Sequence, residues 1–169
     1  NRTAYDKPFV CSDMLWNIIK ASEAAYNATD GAFDISVKPL MALWGFHEKR
    51  NSLPTNTQIS EALKKVGFDK IILSDEAQTV QFMQPEMALD FGGIAKGYAL
   101  KMACEIAESM GVEDGIITLG GNVSVLTKSL PGHSDRSGYL IGIVNPFRPD
   151  SQFGTVEILD AAIATSGDY

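Results

Sequence analysis

The sequence predicts an α+β fold, with helices packed on a largely antiparallel sheet. Three observations predict it. Apolar residues recur at helical spacing over about 13–26, 58–66 and 94–110. Two β-type runs at 68–73 and 79–83 flank the turn-forming stretch Ser74-Asp75-Glu76-Ala77-Gln78, as in a hairpin. From Val112 onward the chain becomes β-rich, punctuated by Gly and Pro. With 169 residues, no internal repeat and no linker, residues 1–169 read as one domain with a sizeable core.

The elements follow in order. Asn1 to Val10 has no clear period. Ser12 and Asp13 offer caps for a first helix, whose Leu15, Ile18, Ile19, Ser22, Ala25 and Tyr26 share a face; it is expected to end before Asp30-Gly31. In the segment 30–40, Gly31 punctuates and Pro39 is expected to hold Lys38 extended. Met41, Leu43, Trp44 and Phe46 then form a dense apolar cluster. It reads either as a short helix plugging the core or as an edge where an aromatic ring system rests, with Asp34 as its hydrogen-bonding partner. Residues 47–57 are polar and read as a surface loop. Ile59, Ala62, Leu63 and Val66 mark a helix capped by Thr57 and ended by Gly67.

After the hairpin, Gln84-Pro85-Glu86 turns the chain into Leu89-Asp90-Phe91-Gly92-Gly93-Ile94-Ala95-Lys96-Gly97-Tyr98. A short apolar run delivers a carboxylate, two glycines follow, and a lysine sits in the first turn of a long helix. Glycine lets a ligand approach the backbone and makes positive φ available. A helix start favours an anion. The stretch is either a phosphate cradle or an ordinary strand-to-helix connection, with Asp90 as a cap and Lys96 in solvent. The helix is expected to bury Ala95, Ala99, Met102, Ala103, Ile106, Ala107 and Met110. Strands at 116–119 and 123–126 flank a tight turn at Gly120-Gly121-Asn122; 127–138 reads as a loop; 139–144 and 155–159 are further strands. The apolar run 161–165 leads into Ser166-Gly167-Asp168-Tyr169, an unusual place for a native end, and residues are expected to be missing at both termini.

Composition excludes some classes. The formal charge is −7 with no basic cluster, which argues against nucleic-acid binding. No apolar run is long enough to span a bilayer, and no signal-peptide pattern occurs. Two cysteines and two histidines, all scattered, make a Cys/His zinc site improbable; Cys104 reads as a small core residue and His133 as a solvated loop residue.

Three separated stretches together resemble the ApbE family of flavin transferases. They are Asp30-Gly31-Ala32-Phe33-Asp34-Ile35-Ser36-Val37-Lys38-Pro39-Leu40 with Leu43-Trp44-Gly45-Phe46, the stretch Leu89 to Ala99, and Ala164-Thr165-Ser166-Gly167-Asp168-Tyr169. Thr118-Leu119-Gly120-Gly121-Asn122 and Gly142-Ile143-Val144-Asn145-Pro146 also look like the family. The resemblance covers essentially the whole chain and implies a T-fold-like domain that binds FAD and a divalent metal, usually Mg²⁺.

The chemistry so implied is transfer of FMN from FAD onto a Thr or Ser hydroxyl of an acceptor protein, with AMP leaving. Alternatives are a metal-dependent FAD pyrophosphatase and a non-catalytic flavin-binding module. Known acceptors of the family include subunits of redox-driven sodium pumps. By resemblance, Ala32, Phe33 and Asp34 line the FAD site, and Asp90 and Lys96 contact its ribose and phosphates. Asp90 is the candidate catalytic group, Gly93 offers its carbonyl to the metal, and Thr165, Ser166 and Gly167 lie by the isoalloxazine or phosphate. The family pattern then continues with an Asp-Pro-Arg-Thr-Gly segment and an Ala-Asp-x-x-x-Thr segment that completes the metal site; neither occurs here, and the N-terminal FAD-contacting strands are absent too. That puts metal binding and turnover by this chain alone in doubt. The family is usually exported and often lipid-anchored, which implies the periplasmic or outer face of the cell envelope, with membrane anchoring through a missing N-terminus.

Overall fold

A computed structural model describes residues 1–46, 48, 52–127 and 138–166. The fold is α+β, and the chain divides into two compact units, Asn1–Ile94 and Ala95–Tyr169.

In the first unit, β1 (Phe9–Val10) leads into α1 (Asp13–Ala28). Ser12 caps α1 by accepting from the Leu15 amide at 3.4 Å, and Asp13 adds a favourable negative charge to the first turn. Trp16, Ile19 and Ser22 are its buried face. The helix ends as predicted, with Asp30 (φ 49°) and Gly31 (φ 81°) turning the chain through left-handed conformations. β2 (Ile71–Ser74) and β3 (Thr79–Phe82) form the predicted hairpin, and β1 joins them in an antiparallel sheet of order β1-β3-β2. Strand side chains alternate between faces, so Val80 and Phe82 turn inward together. They join Trp16, Ile19, Ile35, Phe68, Met87 and Leu89 in one core.

Several local expectations are corrected. Lys38 is helical (φ −52°, ψ −39°), because Pro39 falls in the first turn of α2 (Lys38–Leu43), where a missing N–H costs nothing. α2 does not plug the core: none of its residues is fully buried, and Trp44 and Phe46 beyond it are 49% and 72% exposed. The core position there is taken by Ile35 on the preceding 3₁₀ turn. α3 (Asn56–Leu63) begins earlier than predicted and stops short of Val66. Its cap is Thr55, which exchanges reciprocal hydrogen bonds with Gln58, and not Thr57. Phe68 begins a 3₁₀ turn instead of a strand, following Gly67 at φ 142°.

The second unit opens with α4 (Ala95–Ser109), which packs on β4 (Ile116–Leu119) and β5 (Asn122–Val125). β5 also pairs with β8 (Ala162–Ile163), giving an antiparallel sheet of order β4-β5-β8. β6 (Tyr139–Asn145) and β7 (Arg148–Ile158) form a separate antiparallel ribbon with a register shift near Val144. The predicted burial stripe of α4 is displaced. Leu100 is the fully buried residue, while Ile106 and Met110 are 57% and 77% exposed. The short β4–β5 sheet covers a face centred on Leu100, which the predicted stripe left out. Cys104 is half-buried, and its Sγ lies 3.3 Å from Ser124 Oγ. His47 and His133 lie outside the described residues.

Candidate functional site

The sequence-predicted residues fall into two groups, one in each unit. In the first, the segment 29–36 is built around three side-chain acceptors, Thr29, Asp34 and Ser36. Thr29 Oγ1 donates to the Ala25 carbonyl at 2.8 Å and accepts from the Phe33 amide at 2.9 Å. The end of α1 thereby sets the backbone of Phe33. Ala32, beside it, is exposed, and its amide donates to the Thr29 carbonyl at 3.0 Å.

Asp34 spends its carboxylate on the backbone. Oδ1 accepts from the Ser36 amide at 2.7 Å and Oδ2 from the Phe68 amide at 3.0 Å. Ser36, fully buried, accepts from the Gly67 amide at 2.7 Å. Asp34 and Ser36 together bind consecutive amides of the 67–68 turn, an ordinary structural use for a short polar side chain. Phe68 in turn stacks on Tyr26, with ring centroids 5.0 Å apart.

Asp90 stands on an extended segment after the buried Met87 and Leu89. Its amide donates to the Ile35 carbonyl at 2.8 Å, and its Oδ1 accepts from the Gly92 amide at 2.8 Å. That bond is a local turn contact two residues on; α4 itself starts only at Ala95. Neither Gly92 nor Gly93 adopts positive φ. What the pair supplies is absence of bulk. A Cβ on Gly92 would meet Asp90 Oδ1 at 2.9 Å, and one on Gly93 would meet Phe33 Cε2 at 3.0 Å. The aromatic edge at 33 therefore lies close against the glycine at 93, and both belong to the predicted site.

In the second unit, Lys96 occupies the first turn of α4, is exposed, and forms no ion pair among the described residues. Gly120 (φ 54°) and Gly121 (φ 84°) make the two-residue turn between β4 and β5, where positive φ at both positions suits glycine. A Cβ on Gly120 would meet Lys96 Cδ at 3.3 Å, and one on Gly121 would stand 3.9 Å from Thr165 Oγ1. The turn gathers a cation and a hydroxyl beside a helix N-terminus, the combination that suits an anion. Ser166 is exposed, and Gly167 lies outside the described residues. Sequence reasoning took Gly120-Gly121 for a turn and missed its place beside Lys96; the glycine pair was its visible signal.

Among the described residues, no three His, Cys, Asp or Glu side chains cluster to hold a metal ion. One carbonyl, at Gly93, does not make a coordination sphere for a hard cation that takes six or more oxygens. Electrostatically the clearest group is Asp114. Thr127 donates its hydroxyl to Asp114 Oδ1, and Tyr139 donates to the same oxygen at 2.7 Å. The bonds from Thr127 and then Tyr139 hold the Asp114 carboxyl below its ordinary range, and the bond to Asp114, with burial second, pushes the Tyr139 hydroxyl up. Among the described residues, no helix is long and apolar enough to cross a membrane.

The model of the ApbE family matches residues 1–169. The chain is 32% identical to the FAD:protein FMN transferase of Klebsiella pneumoniae, covering 100% of this chain and 51% of that protein. The crystal structure of the ApbE protein of Thermotoga maritima superposes with a TM-score of 0.81 at 34% identity, over 98% of this chain and 52% of that one. The flavin transferase ApbE of Vibrio cholerae gives 0.80 at 28% identity, again over 98% and 52%. The chain thus spans about half the length of the relatives it matches.

Proposed function

We propose, from the premise that this chain belongs to the ApbE family, that it forms part of an FAD:protein FMN transferase. The observation that carries the reading is the convergence of Lys96 and Thr165 on the Gly120–Gly121 turn beside the first turn of α4. A pyrophosphate needs fixed donors and positive charge that are in place before reaction.

In this reading the hydroxyl oxygen of an acceptor Thr or Ser attacks the FMN-side phosphorus of FAD. A P–O bond to the acceptor forms, the bridging P–O bond of the pyrophosphate breaks, and AMP leaves with the electron pair. The hydroxyl proton passes to a base, for which Asp90 is the candidate. Lys96 and the helix start offset phosphate charge; Thr165 and Ser166 supply hydroxyls; Gly167 belongs to the same stretch. Phe33, with Ala32 and Asp34 beside it, lines the flavin side, where an aromatic edge packs against a ring system.

Mg²⁺ enters through the family resemblance, with the Gly93 carbonyl as one ligand. It would neutralise phosphate charge when bound. The acceptor class, subunits of redox-driven ion pumps, and the outer face of the cell envelope are proposed on the same resemblance, as is an N-terminal lipid anchor.

The test is incubation of the full-length protein with FAD, Mg²⁺ and an acceptor carrying the target Thr. A fluorescent, covalently flavinylated band supports transfer. AMP and free FMN without a labelled acceptor support a pyrophosphatase. FAD binding with no AMP release supports a binding module.

A further inference from the structure

Leu89 and Asp90 lie on an extended segment whose two edges are held by different parts of the first unit. In an extended chain the N–H and C=O of one residue point to one edge, and those of the next residue to the other. On one edge the Asp90 amide donates to the Ile35 carbonyl at 2.8 Å. On the other, the Leu89 amide donates to Asn1 Oδ1 at 2.8 Å, and Asn1 Nδ2 donates to the Leu89 carbonyl at 3.2 Å. The Asn1 side-chain amide thus does the work of a neighbouring strand's peptide group. Only one orientation of the amide satisfies both bonds, because one needs an acceptor and the other a donor.

The clamp sits one residue before the carboxylate. Leu89 is 6% exposed, so its side chain already anchors the segment from the core. Together with the Asp90–Ile35 bond on the other edge, Asn1 restrains what the side chain leaves free, the rotation of the Leu89–Asp90 backbone about its own axis. That rotation sets where the Asp90 carboxylate points. Asp90 Oδ1 in turn holds the Gly92 amide ahead of Gly93.

We infer that Asn1 is a positioning residue for Asp90: its amide clamps the Leu89 backbone so that the Asp90 carboxylate is presented to the flavin nucleotide. The inference rests on the reading that Asp90 contacts FAD. Asn1 itself touches no reacting atom.

A double-mutant cycle on the full-length protein tests it, read as the FAD dissociation constant by calorimetry. Asn1→Ala is expected to weaken FAD binding on the order of tenfold, the scale of one well-placed hydrogen bond. Asn1→Asp keeps the acceptor for the Leu89 amide but sets a lone pair against the Leu89 carbonyl, so it is expected to weaken binding as well. In an Asp90→Ala background, Asn1→Ala is expected to change nothing further. A purely structural role would cost the same factor in both backgrounds, and that result overturns the inference. So does an unchanged dissociation constant in Asn1→Ala. A wild-type protein that binds no FAD overturns the functional reading, and the inference with it; binding that responds to Asp90→Ala but not to Asn1→Ala overturns the inference alone.

Discussion

Phe33 and Gly93 pack so closely that a Cβ at position 93 would come within 3.0 Å of the Phe33 ring. Residues far apart in sequence are thereby matched in size, with an aromatic edge against a position that has no side chain. Gly93→Ala is expected to displace the ring and weaken FAD binding on the order of tenfold, the effect of about 1–3 kcal/mol of overpacking. Gly97→Ala is the control. A Cβ there meets nothing within 4 Å, and Gly97 lies inside α4. That change is expected to stabilise the helix by about 1 kcal/mol and raise the melting temperature. Calorimetry and thermal melts read the two effects separately.

Asp34→Ala removes the acceptor of the Ser36 and Phe68 amides. The expected cost to folding is about 2–4 kcal/mol, the range for stranding two partly buried donors. Asp34→Asn keeps one side-chain acceptor and should recover about half of it. Denaturant melts check the order wild type, Asn, Ala; an Ala variant as stable as wild type would contradict the structural role.

Gly120→Ala and Gly121→Ala each force a side chain into positive φ at the β4–β5 turn. Each is expected to cost about 1 kcal/mol. Gly120→Ala also crowds Lys96 at 3.3 Å, so it should weaken FAD binding more than Gly121→Ala does. Equal effects on binding, measured by calorimetry, would separate the turn from the nucleotide site.

Asp114 makes a pH prediction. Its carboxyl is held below the ordinary range by Thr127 and then Tyr139, so its folded pKa lies under its unfolded one. A depressed carboxylate adds stability above the unfolded value, near 3.9, and loses it as pH falls through the folded value. Asp114→Asn is therefore expected to melt below wild type by a constant margin from pH 8 to 5. The margin should shrink below about pH 4, as the wild-type carboxyl takes up its proton. Thermal melts across that range check it; a margin that grows in acid has the wrong sign.

What the sequence made legible was mostly local. α1, the β2–β3 hairpin and the β4–β5 turn follow from apolar spacing and turn residues that lie next to one another in the chain. What escaped depends on partners elsewhere. α4 buries Leu100 because of the strands it lies on, and its own periodicity spreads apolar residues too widely to single that face out. Thr55 outcompetes Thr57 as a cap because Gln58 returns the bond, a reciprocity decided by one residue's offset. For the site, local physics left 89–98 open between a phosphate cradle and an ordinary strand-to-helix connection, and the family resemblance named Phe33, Asp34 and Gly93. The 3.0 Å approach and the Asn1–Leu89 clamp needed the fold, since no spacing rule links residues so distant in sequence.

The central claim is that FMN moves intact from FAD to a protein hydroxyl. Phosphorus NMR of a reaction containing the full-length protein, FAD, Mg²⁺ and acceptor tests it most directly. Transfer predicts that the pyrophosphate signals fall while a protein-bound phosphodiester and the AMP monoester rise in equal amounts. Two phosphomonoesters with no phosphodiester, or pyrophosphate signals that persist although FAD is bound, would contradict it.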